Sequence, residues 1–271
     1  MTDSFVQRTL ASKSIVLEVP GGAARATVLL FHGITGAQTE VLDLGISIAK
    51  RGYNVVIPLL SGHNGTIELL AHTPADLWLG DIRRGLAEVR ELGPHRIVVG
   101  GLSFGGVLAL AAASQLGGAA SGAFILSIPL RLRSTRDDIV LRLLSYLPDS
   151  LLDRLPVVPK RPRAVDAFVK PRDSLAMHSV GAMARVFYIR RLTLQQLWRL
   201  SCPLLVLQDP DDHHVPSASI DVLFRYAGHV QIGQRWYPGG QHELTLGRWY
   251  AEVEQAVGEF VDASAASVGR D

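Results

Sequence analysis

Residues 96–116 read RIVVGGLSFGGVLALAAASQL and combine a short apolar run, a glycine-rich turn and an alanine-rich run. The first run is typical of a strand buried on both faces. Phe104–Leu116 is predicted to be a helix that Gly117 closes. Ser103 stands at the turn, inside the pattern Gly-x-Ser-x-Gly. Because a strand, tight turn and helix expose such a serine at a helix N-terminus, Ser103 is predicted to be a nucleophile.

On both sides of this unit, strand-like and helix-like segments alternate along the chain. The predicted strands are 14–19, 26–31, 54–58, 96–99, 122–127, 203–207 and 231–237, and the predicted helices are 40–51, 75–92, 104–116 and 247–263. This alternation predicts a mainly parallel sheet with helices on both faces. In such sheets, functional side chains gather at the carboxyl ends of the strands.

The alternation stops between residues 130 and 200. This segment holds 14 basic residues and six acidic ones, all aspartates. We interpret it as an inserted, mostly helical cap on a core formed by residues 1–129 and 201–271. Its apolar runs could line an acyl pocket or simply pack the cap onto the core. Its positive charge could attract an anionic group or a membrane surface, or be a solvated arginine-rich surface.

A serine hydroxyl needs a base, and the base needs an acid to orient it. The run PLLVLQ leads into Asp209-Pro210-Asp211-Asp212. Asp212 is the preferred acid because Asp-x-x-Val-Pro is a familiar turn after such a strand and places the carboxylate beyond the strand end. Asp209 and Asp211 are interpreted as loop or cap residues. His242 follows the last predicted strand in a glycine-containing loop and is predicted to be the base. The chain order serine, aspartate, histidine is the order expected when the nucleophile lies on a strand-to-helix turn of this kind.

The other histidines are assigned different roles. Surface or packing roles are given to four that come too early in the chain to be the base: His63, His72, His95 and His178. His32 and Gly33 follow the strand 26–31, where His32 is expected to hold the loop by hydrogen bonds. The backbone N–H groups of Ile34 and Phe104 are the candidate donors for an oxyanion. The pair His213–His214 has no further ligands nearby and is interpreted as solvated loop rather than a metal site.

Composition limits the class of protein. The chain has 271 residues, 48% hydrophobic and 19% charged, with a formal net charge of +2. These values fit a folded domain and give no indication of a nucleic-acid partner. A single cysteine, Cys202, excludes an internal disulfide and favours a reducing compartment. With no signal-like or membrane-spanning run, we expect a cytoplasmic protein without a cofactor or metal.

The chain resembles the bacterial carboxylesterases and monoacylglycerol lipases of the α/β-hydrolase superfamily. The matching segments are LLFHGITG, YNVVIPLLSGHNG, HTPADLW, GLSFGGVLAL, CPLLVLQDPDDHHVP and GGQHELTL, which span most of the core in the family's order. The resemblance implies Ser103, Asp212 and His242 as the triad and Ile34 and Phe104 as oxyanion donors. One departure is Gly62-His63-Asn64-Gly65, where the family often has Gly-His-Gly.

The resemblance implies an ester hydrolase with a small-molecule acyl ester as substrate. A thioesterase acting on acyl-CoA or acyl-carrier thioesters would use the same triad and is the alternative. A non-catalytic binding member of the fold is a third possibility, but such proteins usually lack a triad residue. Transient contact of the basic cap with a lipid surface is a further expectation, and the sequence leaves the oligomeric state open.

Overall fold

An eight-stranded sheet forms the centre of the protein, in a computed structural model that describes residues 4–93, 96–160 and 175–266. The strands are β1 Val6–Thr9, β2 Ile15–Glu18, β3 Thr27–Phe31, β4 Asn54–Ile57, β5 Ile97–Leu102, β6 Ala120–Leu126, β9 Leu204–Gln208 and β10 Ile232–Trp236. Their spatial order in the sheet is β1-β2-β4-β3-β5-β6-β9-β10. The pairs β1–β2 and β2–β4 are antiparallel, and the six strands from β4 to β10 are parallel.

Helices cover both faces of this sheet. They are α1 Thr39–Lys50, α3 Ala75–Glu91, α4 Phe104–Leu116, α8 Ala218–Ala227 and α9 Tyr250–Ala266, and a short helix, α2 Ile67–Ala71, precedes α3. On β3, Val28 and Leu30 pack on the side of α1 and α9, while Leu29 and Phe31 pack on the side of α3 and α4. Burial on two faces explains why this strand is a continuous apolar run. The predicted mainly parallel sheet with helices on both faces is confirmed.

The segment between β6 and β9 holds further elements. These are α5 Thr135–Leu144, α6 Asp149–Leu152, α7 Val180–Gln196 and the short antiparallel pair β7 Val157–Pro159 and β8 Met177–Ser179. Residues 161–174 of the predicted cap, with several of its basic residues, lie outside the described residues.

Helix α7 packs in two directions. Val186 and Ile189 join the main core beside α4, while Ala184 and Phe187 form a small apolar cluster with α5 and α6. The residues on α7 that face the core are therefore continuous with the α/β domain. The division of the chain at residues 130 and 200 stays a prediction.

Outside the predicted cap, strand β1 and helices α2 and α8 were not predicted from the sequence. Val6–Thr9 is exposed at every position, so it lacks the apolar alternation that marks a strand. The last helix begins at Tyr250 and not at Gly247. Within the described residues, no helix has both the length and the apolar character needed to cross a bilayer.

Candidate active site

Ser103 lies at the sharp turn between β5 and α4. Its φ of 55° and ψ of −118° place it outside the conformations that L residues normally adopt. The Ser103 N–H donates to the Leu126 carbonyl oxygen of β6 at 2.8 Å. Strained backbone of this kind persists where surrounding structure enforces it, which is frequent at functional sites. The turn presents the Ser103 side chain at the carboxyl end of the sheet.

The two glycines that flank Ser103 allow backbone segments to approach each other. A Cβ atom on Gly101 would lie 2.1 Å from the Gly105 carbonyl oxygen, and one on Gly105 would lie 2.2 Å from the Phe31 carbonyl oxygen. Since these neighbours are main-chain atoms, they cannot move aside as a flexible side chain would. The motif therefore lets the N-terminus of α4 rest directly against the end of β3.

Ser103, His242 and Asp212 form a continuous hydrogen-bonded chain. Ser103 Oγ lies 2.8 Å from His242 Nε2, and His242 Nδ1 lies 2.6 Å from Asp212 Oδ2. These side chains come from the turn after β5, the loop after β9 and the loop after β10. Parallel strands end at the same edge of the sheet, so residues 139 positions apart along the chain meet there. The arrangement can transfer a proton from the serine hydroxyl to the imidazole.

Asp212 is held as a carboxylate in a buried position. Its Oδ1 accepts hydrogen bonds from the N–H groups of His214 at 2.7 Å and Val215 at 3.1 Å. Burial favours the neutral form, but His242 and these two N–H groups outweigh it and lower the pKa of Asp212. All three of these partners favour the charged form, which is the form that can stabilise an imidazolium.

Asp209 is also buried, and it binds the loop that carries His242. Its Oδ2 accepts the Gln241 N–H at 2.6 Å, directly before His242, and its Oδ1 accepts the Asp211 N–H at 2.8 Å. Burial raises the pKa of Asp209 above its usual range. The sequence left Asp209 as a loop or cap residue, and the structure gives it the role of anchoring the loop that carries His242.

The candidate oxyanion donors lie on the two backbone segments next to Ser103. A Cβ atom on Gly33 would lie 3.8 Å from Ser103 Cβ, so the loop after β3 borders the serine. Ile34 follows Gly33, and its N–H makes no hydrogen bond within the described residues. Phe104 is the first residue of α4, where an N–H has no carbonyl of a preceding turn to bind.

His32 is fully buried beside this loop. Its Nδ1 lies 2.9 Å from the Gly33 carbonyl oxygen, and its Nε2 lies 3.2 Å from the Leu60 N–H. Because the Leu60 N–H donates to Nε2, Nε2 carries no proton. The ring proton is therefore on Nδ1, which donates it to the Gly33 carbonyl oxygen. Burial and the nearby His63 lower the pKa of His32 to about 3. His32 is therefore neutral and hydrogen-bonded within the loop, not in contact with Ser103.

Sequence reasoning missed two further histidines near the site. His63 is buried, as a packing role predicts, but no local pattern indicates that its Nε2 lies 2.6 Å from the Ile34 carbonyl oxygen. His214 was interpreted as solvated, yet its ring lies edge-on to His242 at 5.2 Å between centroids. The only sequence signal was position, since each lies in a loop that the motifs place beside the site. His95 lies outside the described residues.

Residues of the predicted cap contact the loop after β3 and lie beside His214. Lys160 Nζ lies 2.8 Å from Thr35 Oγ1, and the Leu175 N–H donates to the Thr35 carbonyl oxygen at 2.9 Å. His178 of β8 faces His214 at 6.5 Å between ring centroids. Among the described residues, no group of three or more histidine, cysteine, aspartate or glutamate side chains is arranged to hold a metal ion.

Two curated bacterial proteins are similar to this chain over most of their length. A carboxylesterase of Bacillus subtilis (strain 168) is 26% identical over 238 residues, which cover 87% of this chain and 92% of that protein. A thermostable monoacylglycerol lipase of Bacillus sp. (strain H-257) is 28% identical over 203 residues, covering 73% and 75%. The resemblance drawn from the sequence motifs is confirmed.

Solved structures share the fold. One belongs to the metagenome-derived lipolytic enzymes LipS and LipT, with a TM-score of 0.76, 23% identity and coverage of 96% of this chain and 98% of that one. The monoacylglycerol lipase of Paleococcus ferrophilus gives a TM-score of 0.72 at 16% identity, covering 96% and 99%. A family model described as serine aminopeptidase, S33, matches residues 22–247. The chain therefore belongs to this family of α/β-hydrolases.

Proposed function

We propose that the protein hydrolyses carboxylic esters through an acyl-enzyme on Ser103. The observation that carries this proposal is the chain of contacts from Ser103 Oγ through His242 to Asp212, at 2.8 Å and 2.6 Å. His242 is the general base and Asp212 orients its ring. The N–H groups of Ile34 and Phe104 receive the developing oxyanion.

Acylation follows from this geometry. As Ser103 Oγ bonds to the ester carbonyl carbon, its proton passes to His242 Nε2 and the carbonyl electron pair moves to oxygen. Asp212 stabilises the imidazolium across its contact with Nδ1. When the tetrahedral intermediate collapses, the ester C–O bond breaks and the leaving alcohol takes the proton from His242 Nε2.

Deacylation repeats the same steps with water. His242 takes a proton from a water molecule as the water oxygen bonds to the acyl carbon. The second tetrahedral intermediate releases Ser103, which recovers its proton from His242. The products are a carboxylic acid and an alcohol, and the triad returns to its starting state.

The names of the relatives support an ester as the substrate. The two curated relatives are a carboxylesterase and a monoacylglycerol lipase, so an acyl ester of a small alcohol is the first substrate class to test. Thioesters and aminoacyl amides are cleaved by the same chemistry, and the family description itself names an aminopeptidase. Thioesters and aminoacyl amides are therefore also tested as substrates.

The outer surface of α5 and α6 supports contact with a lipid surface. Six apolar side chains there are exposed, at 38–67% of their maximal area. They are Ile139, Val140, Leu143, Tyr146, Leu147 and Leu151. Ile139 and Val140 lie four and three residues before Leu143 on α5, where Arg136 and Arg142 are also exposed. Tyr146 and Leu147 follow in the turn before α6. An apolar stripe flanked by arginines suits an anionic lipid surface.

The function is tested with p-nitrophenyl esters of acyl chains from two to sixteen carbons, an acyl-CoA and an aminoacyl p-nitroanilide. Wild type, Ser103→Ala and a fluorophosphonate-treated sample are compared. We expect the highest kcat/KM on an ester, and loss of activity by at least about 10⁴-fold in Ser103→Ala. Turnover that survives in Ser103→Ala would show that the mechanism is wrong.

Lipid contact is tested by sedimentation with vesicles of phosphatidylglycerol or phosphatidylcholine. We expect wild type to bind the anionic vesicles more strongly, and Leu143→Glu with Tyr146→Glu to remove most of that binding while hydrolysis of a soluble ester stays within about twofold. Equal binding of this double variant and wild type contradicts the proposed surface.

A further inference from the structure

Glu40 is a buried carboxylate that no step of the proposed reaction uses. It lies in the first turn of α1 and is only 3% exposed. Its Oε2 accepts the Gly33 N–H at 2.9 Å, inside the loop that borders Ser103. A carboxyl group that is buried this deeply needs hydrogen bonds, and its contact with Gly33 is made to main chain at the candidate oxyanion loop.

The absence of a side chain at Gly36 creates the space that the Glu40 carboxyl group fills. A Cβ atom on Gly36 would lie 1.9–2.1 Å from the three atoms of that group. Gly36 is not among the residues with a positive φ, so its backbone conformation does not itself require glycine. The glycine at this position is explained by the need to admit the Glu40 side chain.

Three side chains bind main-chain polar groups of Gly33 and Ile34. Glu40 accepts the Gly33 N–H, His32 Nδ1 binds the Gly33 carbonyl oxygen, and His63 Nε2 lies 2.6 Å from the Ile34 carbonyl oxygen. The Ile34 N–H is the remaining main-chain group of these two residues. In a trans peptide the C=O and N–H point in opposite directions, so fixing the groups around Gly33 also fixes the direction of the Ile34 N–H.

We propose that Glu40 is a positioning residue for the oxyanion loop. Its carboxylate withdraws the Gly33 N–H from the site and holds the peptide that follows, so that the Ile34 N–H faces the oxygen of the tetrahedral intermediate. This inference rests on the proposed function, because it assigns a role in the same hydrolysis. Glu40 acts through Ile34 and does not touch the substrate.

The neighbouring glycine offers a way to displace Glu40 without deleting it. In Gly36→Ala, the new methyl group takes the space that the Glu40 carboxyl group fills and displaces that group. In Glu40→Ala, this space is left empty. In the double variant Gly36→Ala/Glu40→Ala, the methyl group enters the empty space without a clash. If the two residues act through one contact, the double variant is no more impaired than Glu40→Ala alone.

Steady-state kinetics and one inhibitor provide the measurements. We expect Glu40→Ala and Gly36→Ala each to lower kcat roughly 10- to 100-fold while KM stays within about threefold, because the lost contact matters only as the oxyanion forms. The Ki of a trifluoromethyl ketone, whose adduct with Ser103 carries an oxyanion, rises by the factor by which kcat/KM falls. Glu40→Gln retains an oxygen acceptor and keeps kcat within about fivefold.

Glu88→Ala serves as the matched control. Glu88 is a buried glutamate of α3 that pairs with Arg84, and its removal is expected to lower Tm while kcat and the Ki stay within about twofold. A kcat of Glu40→Ala within threefold of wild type, or multiplicative losses in the double variant, would overturn the proposal. A fall in Tm without a change in the Ki would do the same.

Hydrogen exchange separates failure of this proposal from failure of the proposed function. If wild type cleaves no ester and the ketone does not inhibit it, the proposed function is wrong. In that case, amide exchange in peptides covering residues 32–38 still tests the contact. Faster exchange at Gly33 in Glu40→Ala, but not in Glu40→Gln or Glu88→Ala, supports the positioning, and equal exchange in all four proteins contradicts it.

Discussion

His242 Nδ1 lies 2.6 Å from Oδ2 of Asp212, whose side chain is fully buried at the end of β9. The other carboxylate oxygen is occupied by two backbone N–H groups. The carboxylate is therefore fixed on one side by main chain and presents its free oxygen to the imidazole. This arrangement defines the tautomer of His242, because the proton on Nδ1 leaves Nε2 able to accept from Ser103.

Asp212→Asn is expected to lower kcat by about 10³- to 10⁴-fold. An amide NH₂ facing Nδ1 favours the opposite tautomer, so the lone pair on Nε2 is lost. The measurement is ester hydrolysis under saturating substrate, together with Tm. Asp211→Asn, an exposed neighbour in the same loop, is the control and should retain wild-type kcat within about twofold. Similar losses in both variants would argue against Asp212 as the acid.

Gly105→Ala is expected to destabilise the protein by about 3 kcal/mol or more, since its methyl group meets the Phe31 carbonyl oxygen at 2.2 Å and main chain must move. Gly106→Ala is the matched control. Its methyl group would lie no closer than 3.3 Å to any neighbour, and alanine is the better helix former. Urea unfolding should therefore show a change of less than about 1 kcal/mol for Gly106→Ala. Equal stability of the two variants would contradict the close approach.

The stability of the protein should fall as the pH is lowered below 6.5. Burial lowers the pKa of His32 from 6.5 to about 3, so between these values the unfolded chain binds a proton that the folded protein does not. Stability from this residue is complete above pH 6.5 and decreases by about 1.4 kcal/mol per pH unit as the pH falls. The pKa of His63 is also lowered by burial and acts in the same direction.

His32→Asn tests this assignment. Urea unfolding of wild type and variant is measured from pH 7.5 to pH 4.5. The variant is less stable at pH 7.5, but its unfolding free energy should fall less steeply below pH 6.5. The difference in slope should correspond to about one fewer proton taken up on unfolding. Parallel curves over the whole range would show that His32 is not the residue responsible.

Arg185→Met is expected to destabilise the protein by about 1–3 kcal/mol, because the buried Ala71 carbonyl oxygen loses its donor while Asp149 and Asp153 stay partly exposed to water. Arg185 is 1% exposed and binds Asp149 at 2.7 Å, Asp153 at 2.5 Å and the Ala71 carbonyl oxygen at 2.7 Å, so it joins α6 and α7 to the end of α2. Its removal leaves two carboxylates and one carbonyl oxygen without this cation. Arg142→Met, an exposed arginine of α5, should change the unfolding free energy by less than about 0.5 kcal/mol.

Local sequence patterns were sufficient for seven of the eight strands of the main sheet and for the turn that carries Ser103. Buried parallel strands are continuous apolar runs, and glycines at 101 and 105 mark a place where main chains touch, so these features are written in adjacent residues. The elements that were missed carry weaker patterns. Strand β1 is exposed at all four positions and is defined by its pairing with β2, which no local periodicity reveals.

By itself, the sequence determined the fold class and proposed Ser103, Asp212 and His242 in the order the family resemblance requires. Only the tertiary structure decided which buried polar groups surround them. Glu40, His63 and Asp209 meet Gly33, Ile34 and Gln241 across separations of 7, 29 and 32 residues. A hydrogen bond depends on distance and direction in space, and strand order sets both after the chain has folded. Periodicity records burial, and it carries no information about which partner a buried polar group will meet.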